Sequence, residues 1–202
     1  MLTLIKRLLI TLAIFGVAAC QSTPKPIPVP EPVVLPEPID LNLQSYEKAI
    51  SALKSGDTAS AVELLENVIA VGPSYPHIFT NLGLAYFKLE NYDQAEQAFL
   101  LALESDTRNA TAYNHLGIIK RIQGKFGQAK HSYEKAIEFD PNYANAHLNL
   151  GVLYDIYLQD LELALRQYEK YQTLITKKDE SVATWIIDIQ RRIKSAKAKS
   201  QG

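Results

Sequence analysis

From Asn42 onward the apolar positions fall three and four apart, and the whole pattern returns after 34 residues. Phe79, Leu82, Gly83, Tyr86, Ala95, Phe99 and Ala102 recur as Tyr113, Leu116, Gly117, Lys120, Ala129, Tyr133 and Ala136, closed by Pro141. A further copy opens on His147, Leu150, Gly151 and Tyr154, then slips by one residue to Ala164, Tyr168 and Tyr171. Leu82 and Tyr86 lie four apart, and Ala95, Phe99 and Ala102 lie four and three apart, so each set occupies one helical face. Each period therefore predicts two helices joined by a short turn. Those turns are expected at Asn91-Tyr92-Asp93 and Gln123-Gly124-Lys125, with Asp140-Pro141-Asn142 as a stop between units. Gly83 and Ala95 are expected where two helix backbones approach closely, with Phe99 filling the space they leave.

This aromatic, Leu-Gly, Tyr, Ala, aromatic, Ala, Pro series resembles the tetratricopeptide repeat (TPR) family. A single unit of that kind cannot bury its apolar stripe and must stack on the next. The resemblance implies an all-α fold, a right-handed superhelical solenoid of about four helix-turn-helix repeats. The units run over 42–75, 76–109, 110–143 and 144–178. In the first, Ala49 replaces the glycine, Gly56-Asp57 supplies the turn, and Ala61, Leu65, Val68 and Pro73 keep the spacing. The other departures are Thr107 for proline, Lys120 for tyrosine, His147 for the aromatic, and an extra residue near Asp155–Asp160. Beyond the units, Val182, Trp185, Ile186, Ile189 and Ile193 mark one apolar stripe, which predicts a capping helix over 179–198 and a tail over 199–202. Trp185 is expected in the core of that cap.

The front of the chain is of another kind. Residues 1–19 carry Lys6 and Arg7, then an apolar run through Phe15, then small residues, the three-part design of a secretory signal. The run is too short for a membrane core that needs about 20 apolar residues. Val17-Ala18-Ala19-Cys20 resembles the bacterial lipobox, which implies acylation of Cys20, by palmitate among other chains, and a membrane anchor. Cys20 is the only cysteine, so the fold has no internal disulfide. By resemblance to enterobacterial sorting, Gln21 implies transport to the outer membrane and a periplasmic face, in a Gram-negative host. Residues 20–41 form the tether: seven of the ten prolines lie between Gln21 and Asp40, a composition for polyproline II that builds no packed core. It either spaces the repeats from the lipid or serves as a ligand for an SH3-like or wall-binding module.

Charge narrows the partners. Without Lys6 and Arg7 the chain has 19 basic and 22 acidic residues, net −3, which is no nucleic-acid profile. Residues 41–109 hold nine acids against four bases, whereas 110–178 hold seven against nine. The four histidines (His77, His115, His131, His147) show no metal-ligand spacing, and no nucleophile elbow or glycine-rich phosphate loop occurs. The expectation is a non-enzyme without cofactor, metal or small-molecule substrate.

In the family the first helix of each unit lines a concave groove through the residues that flank the Leu-Gly pair. Carried over, these are Thr80, Asn81, Leu84, Phe87 and Lys88, then Asn114, His115, Ile118 and Arg121, then Leu148, Asn149, Val152 and Asp155. The asparagine amides either hold the backbone of an extended peptide or tie neighbouring helices together. Leu84, Phe87, Ile118 and Val152 offer apolar pockets. The paired lysines and arginines with which chaperone cofactors seize a terminal carboxylate are missing. The plan as a whole resembles two groups of lipoproteins with these repeats: the pilotins of type IV pili and the adaptors that recruit peptidoglycan hydrolases. It implies a protein-binding scaffold in a pilus, secretion or wall-remodelling complex. The alternative is a peptidoglycan- or carbohydrate-binding module.

Overall fold

Nine helices and no strand make up the described residues, 41–72 and 77–200, of the computed structural model. The expected signal, Cys20 and the proline tether as far as Asp40 lie outside them, as does the boundary at 73–76. α1 (Leu41–Ser55) pairs with α2 (Thr58–Val71), α3 (Ile78–Lys88) with α4 (Tyr92–Ser105), α5 (Ala110–Ile122) with α6 (Phe126–Phe139), and α7 (Ala144–Val152) with α8 (Leu161–Leu174). Leu153–Leu158, between α7 and α8, is a π-helical segment. α9 (Glu180–Ser200) packs on α8, so Lys199 and Ser200 extend the helix instead of forming a tail. Each second helix packs on the next first helix, and α5 touches both α3 and α7. The first helices thus form one layer and the second helices another, as in a repeat solenoid.

One contact recurs inside each of the last three pairs. A Cβ placed on Gly83 would stand 2.7 Å from the Phe99 ring, on Gly117 2.5 Å from the Tyr133 ring, and on Gly151 2.6 Å from the Tyr168 ring. Real Cβ atoms do not come so close to other heavy atoms. The ring edge therefore occupies the space the glycine leaves, as expected of Phe99 over Gly83. All three rings are almost completely buried, each worth about 1.5–3 kcal/mol of burial. In the first pair the ring is absent: Leu65 stands at its position, and Ala49 fills what the glycine leaves open elsewhere, both fully buried. The degenerate unit is a smaller version of the same fit.

The first helices end alike. Gly56 (φ 88°), Glu90 (φ 60°), Gly124 (φ 72°) and Gln159 (φ 57°) are all left-handed, spaced 34, 34 and 35 residues apart. Asn91 N–H donates to the Tyr86 carbonyl (2.9 Å) and Lys125 N–H to Lys120 (2.8 Å), closing a Schellman-type stop. In the fourth pair Asp160 N–H reaches the Tyr154 carbonyl (3.0 Å), one residue further back. The wider π turn has absorbed the inserted residue. The stop after α3 is at Glu90, and Tyr92 and Asp93, expected in the turn, already begin α4. Two of the second helices, α2 and α8, start on side-chain caps: Asp57 accepts from Ser60 N–H (3.3 Å) and Asp160 from Leu163 N–H (3.0 Å).

Two departures from the repeat pattern have local causes. At the position of Tyr86 and Tyr154, Lys120 reaches back across the junction to Glu96, which also accepts from Gln123 (3.2 Å). Tyr86 makes the equivalent reach to Glu66, and the Tyr154 ring lies under Lys130. Burial pushes the Glu96 carboxyl up, but the hydrogen bonds of Lys120 and Gln123 outweigh it and hold it below the usual carboxylate range. His147 replaces an aromatic, is nearly buried, and has both ring nitrogens engaged, with the Pro141 carbonyl (3.0 Å) and the Gln167 amide (2.8 Å). α1 carries exposed Lys48 where later first helices bury Leu82, Leu116 and Leu150.

The ring contact predicts opposite outcomes at two glycines. Gly117→Ala overpacks the Tyr133 ring and destabilises by about 1–3 kcal/mol. Gly127→Ala, in open space within α6, stabilises by about 0.5–1 kcal/mol. Urea midpoints at unchanged slope measure both, and a Gly117→Ala midpoint equal to wild type would rule out the fit described. Gln159→Gly relieves a left-handed side chain worth about 1–2 kcal/mol of strain against a smaller entropy cost, so its melting temperature rises by a few degrees.

Candidate functional site

The first-helix layer sets side chains of equal register side by side. Ile50, Leu84, Ile118, Val152 and Ile187 stand 34, 34, 34 and 35 residues apart, on α1, α3, α5, α7 and α9. The first four are half-buried and Ile187 is 66% exposed. α9 enters this file because it occupies the place of a fifth first helix. Its Thr184, Ile187 and Arg191 follow Asn149, Val152 and Ile156 by 35 residues, positions that the residues flanking a Leu-Gly pair do not mark on α9. The signal was the spacing, since Trp185 and Ile186 stand where the Leu-Gly pair would be.

The polar residues of the face are largely committed to the chain itself. Thr80 is buried and its hydroxyl accepts from Asn109 Nδ2 (2.8 Å), whose Oδ1 caps α5 through Ala112 N–H (3.0 Å). Asn114 is only 2% exposed and its Oδ1 accepts from Asn149 Nδ2 (2.9 Å), joining α5 to α7. Asn81 Nδ2 donates to the Tyr46 hydroxyl (2.9 Å), joining α3 to α1. All three asparagines thus tie neighbouring first helices. Asn81 and Asn149 are half-buried and keep their amide oxygens without a protein partner among the described residues.

His115, Phe87 and Phe99 form an aromatic cluster. The imidazole stacks on Phe99 (centroids 5.2 Å) and meets Phe87 edge-on (5.3 Å), and Phe87 also meets Tyr92 (5.6 Å). His115 Nδ1–H donates to the Thr111 carbonyl (2.8 Å), which leaves Nε2 as an acceptor. Burial pulls its pKa down, against the raising effect of that bond, so the ring is neutral at pH 7.

Arg121 and Asp155 share the register of Phe87. Arg121 Nε lies 3.4 Å from the Tyr133 hydroxyl, and its guanidinium covers the Tyr157 ring at 5.8 Å. Burial opposes its charge, but the hydroxyls of Tyr133 and Tyr157 outweigh this and raise its pKa. Asp155 pairs with Arg192 of α9 (2.9 Å). Beside that pair, Thr184, Trp185, Ile187 and Arg191 line a hollow of about 390 Å³. Trp185, expected in the core, rests on Tyr168 (5.5 Å) and is 41% exposed. Lys88 is exposed, with Nζ 3.4 Å from the Leu53 carbonyl, and Leu148 is half-buried beside Asn149. Among the described residues no three His, Cys, Asp or Glu side chains are grouped to hold a metal, and no helix is long and apolar enough to cross a membrane.

Comparison with known proteins bears on the fold. A tetratricopeptide repeat model matches residues 46–113, and a second TPR model matches 119–155. A search of curated proteins gives no significant match. Among solved structures the chain is similar to MamA, at 22% identity over 64% of this chain and 75% of that one, with a TM-score of 0.59. A MamA fragment from Desulfovibrio magneticus RS-1 is similar at 21% identity, over 66% of this chain and 75% of that one, TM-score 0.59. The first TPR of Spaghetti (RPAP3), bound to the HSP90 peptide SRMEEVD, is similar at 27% identity, over 56% of this chain and 90% of that one, TM-score 0.53. The helix pairs, their ring-to-glycine contacts and these matches together make the described chain a tetratricopeptide-repeat solenoid.

Proposed function

We propose that this chain is a lipid-anchored scaffold of the bacterial cell envelope that holds an extended segment of a partner protein along its first-helix face. The observation that carries the reading is the apolar file Ile50, Leu84, Ile118, Val152 and Ile187, which runs across all five first-position helices. A file that crosses successive helices matches a ligand lying across the layer, with one side chain for each gap. The Spaghetti TPR, of similar fold, is bound to the HSP90 peptide SRMEEVD, which supports a peptide-holding role here.

Anchoring rests on the sequence Val17-Ala18-Ala19-Cys20 and on the proline-rich run that follows it. Acylated Cys20 would hold the repeats at a membrane, and Gln21 favours the outer membrane with the solenoid facing the periplasm. A pilus, secretion or wall-remodelling assembly is the setting in which a tethered, non-catalytic holder of protein segments has a use.

Two experiments test the reading. Cys20→Ser expressed in a Gram-negative host is expected to lose labelling by a palmitate analogue and to leave the membrane fraction. Unchanged labelling or retention rules out the anchor. For the groove, Phe87→Ala and Val152→Ser are expected to weaken a co-purified partner several-fold. Lys130→Glu, on the second-helix layer, leaves capture unchanged. If Lys130→Glu abolishes capture while both groove variants retain it, the partner sits on the other layer.

A further inference from the structure

Resting on the groove reading above, we propose that the segment held there carries acidic side chains where it crosses α1, α3 and α5, and large apolar ones where it crosses α7 and α9. The observation behind the first half is a file of cations at the ends of three first helices. Lys54 and Lys88 stand 34 residues apart on α1 and α3, and Arg121 stands next to the equivalent position on α5. None of them is ion-paired with a carboxylate among the described residues. Lys88 is placed by the Leu53 carbonyl (3.4 Å), and Arg121 is laid over Tyr157 (5.8 Å). Elsewhere on α5 and α6, Lys120 is paired with Glu96, Lys130 with Glu134 (3.7 Å) and Lys135 with Glu138 (2.8 Å), whereas Lys48, Arg108 and Lys125, off the groove positions, form no ion pair among the described residues either. Through the groove positions of α1, α3 and α5 the only carboxylate is Glu47, in the register of Asn81.

From the last residue of α5 onward the character of the face changes. Where Phe87 and Arg121 set the register, the π segment after α7 has Asp155, and Arg192 covers it at 2.9 Å. The next position, held by Lys54 and Lys88, becomes Ile122 and Ile156, 49% and 60% exposed. Ile187 and Trp185 line the 390 Å³ hollow beside Asp155, where Arg191 is already paired with Asp188. Open cations thus lie at one end of the groove and open apolar surface at the other.

Overall charge argues for a different partner. Residues 41–109 are net negative, nine acids against four bases, which would draw a basic ligand to the same end. At physiological ionic strength charges more than about 8 Å away are largely screened. Pairs formed at the groove edge therefore decide register and sign, and the distant acids contribute little. A single exposed pair is weak. Three in a file discriminate in sign and set the direction in which the segment lies.

The test uses the full chain and two fluorescein-labelled peptides. One alternates Glu and Leu and ends in two Phe residues; its twin has Lys for every Glu. Anisotropy titrations are expected to show the acidic peptide binding about ten-fold more tightly, as three modest pairs would give. That advantage fades in high salt and disappears in the Lys54→Glu/Lys88→Glu double variant, whose two sites are exposed and whose fold is checked by circular dichroism. Ile187→Ser is expected to weaken both peptides alike. If the lysine peptide binds as well or better and Val152→Ser still weakens it, the groove stands and the acidic assignment falls. If the acidic preference survives but Val152→Ser and Ile187→Ser change nothing, the peptide lies elsewhere and both readings fall. Absence of binding by either peptide also overturns the assignment.

Discussion

Everything in this solenoid depends on a ring edge that lies against a residue with no side chain. The Phe99, Tyr133 and Tyr168 rings come from second helices and fill the space above Gly83, Gly117 and Gly151 of their partner first helices. That single fit sets how closely a pair packs, and through it where the pair presents its face to the next. Its reduced form, Leu65 over Ala49, shows that volume is conserved across the contact even where neither residue is. The second-helix layer absorbs the bulky side of the fit. The first-helix layer is left smooth, with room for side chains of moderate size at regular intervals.

Polar chemistry serves two purposes in this layer, and the two compete. Asn81, Asn114 and Asn149 spend their amide N–H groups or oxygens on joining neighbouring first helices, and Thr80 is spent on Asn109. These bonds stiffen the layer, at about 0.5–1.5 kcal/mol each. What they leave for a ligand is a pair of amide oxygens, the His115 Nε2 acceptor, and the charged groups near the helix ends. Recognition on this face therefore falls mainly to apolar gaps and to charge, with acceptors available to fix a backbone between them.

Much of the fold was legible because the 34-residue spacing is a direct image of the ring-to-glycine fit: in three of the four pairs a glycine and an aromatic recur together. The turns were less legible. Glu90 and Gln159 are not residues that announce a left-handed stop, and packing on both sides imposes it on them. Of the candidate site, the apolar positions could be read from the pattern alone, since half-burial in register is what makes a gap between helices. The inward turn of Thr80 and Asn114 could not. They share one register position, and only the neighbouring helix decides whether it faces a ligand or a partner strut. α9 escaped notice as part of the face because its Leu-Gly pair has become Trp185-Ile186, while its groove positions kept their spacing.

The π segment at Leu153–Leu158 has a bearing on how such a chain can change over time. One added residue in an ordinary α-helix rotates all that follows by 100°. Here that would have turned α8, and α9 with it, away from the layer. By taking the extra residue into one widened turn, and closing it with Gln159 at the usual stop, the chain behaves like a clutch that slips once and re-engages. Repeats downstream keep their phase with those upstream. A fold with such a device can accept small insertions at the ends of its first helices as neutral drift, which makes those ends the places where new surface, such as exposed Ile156, Tyr157 and Leu158, can appear without disturbing the rest.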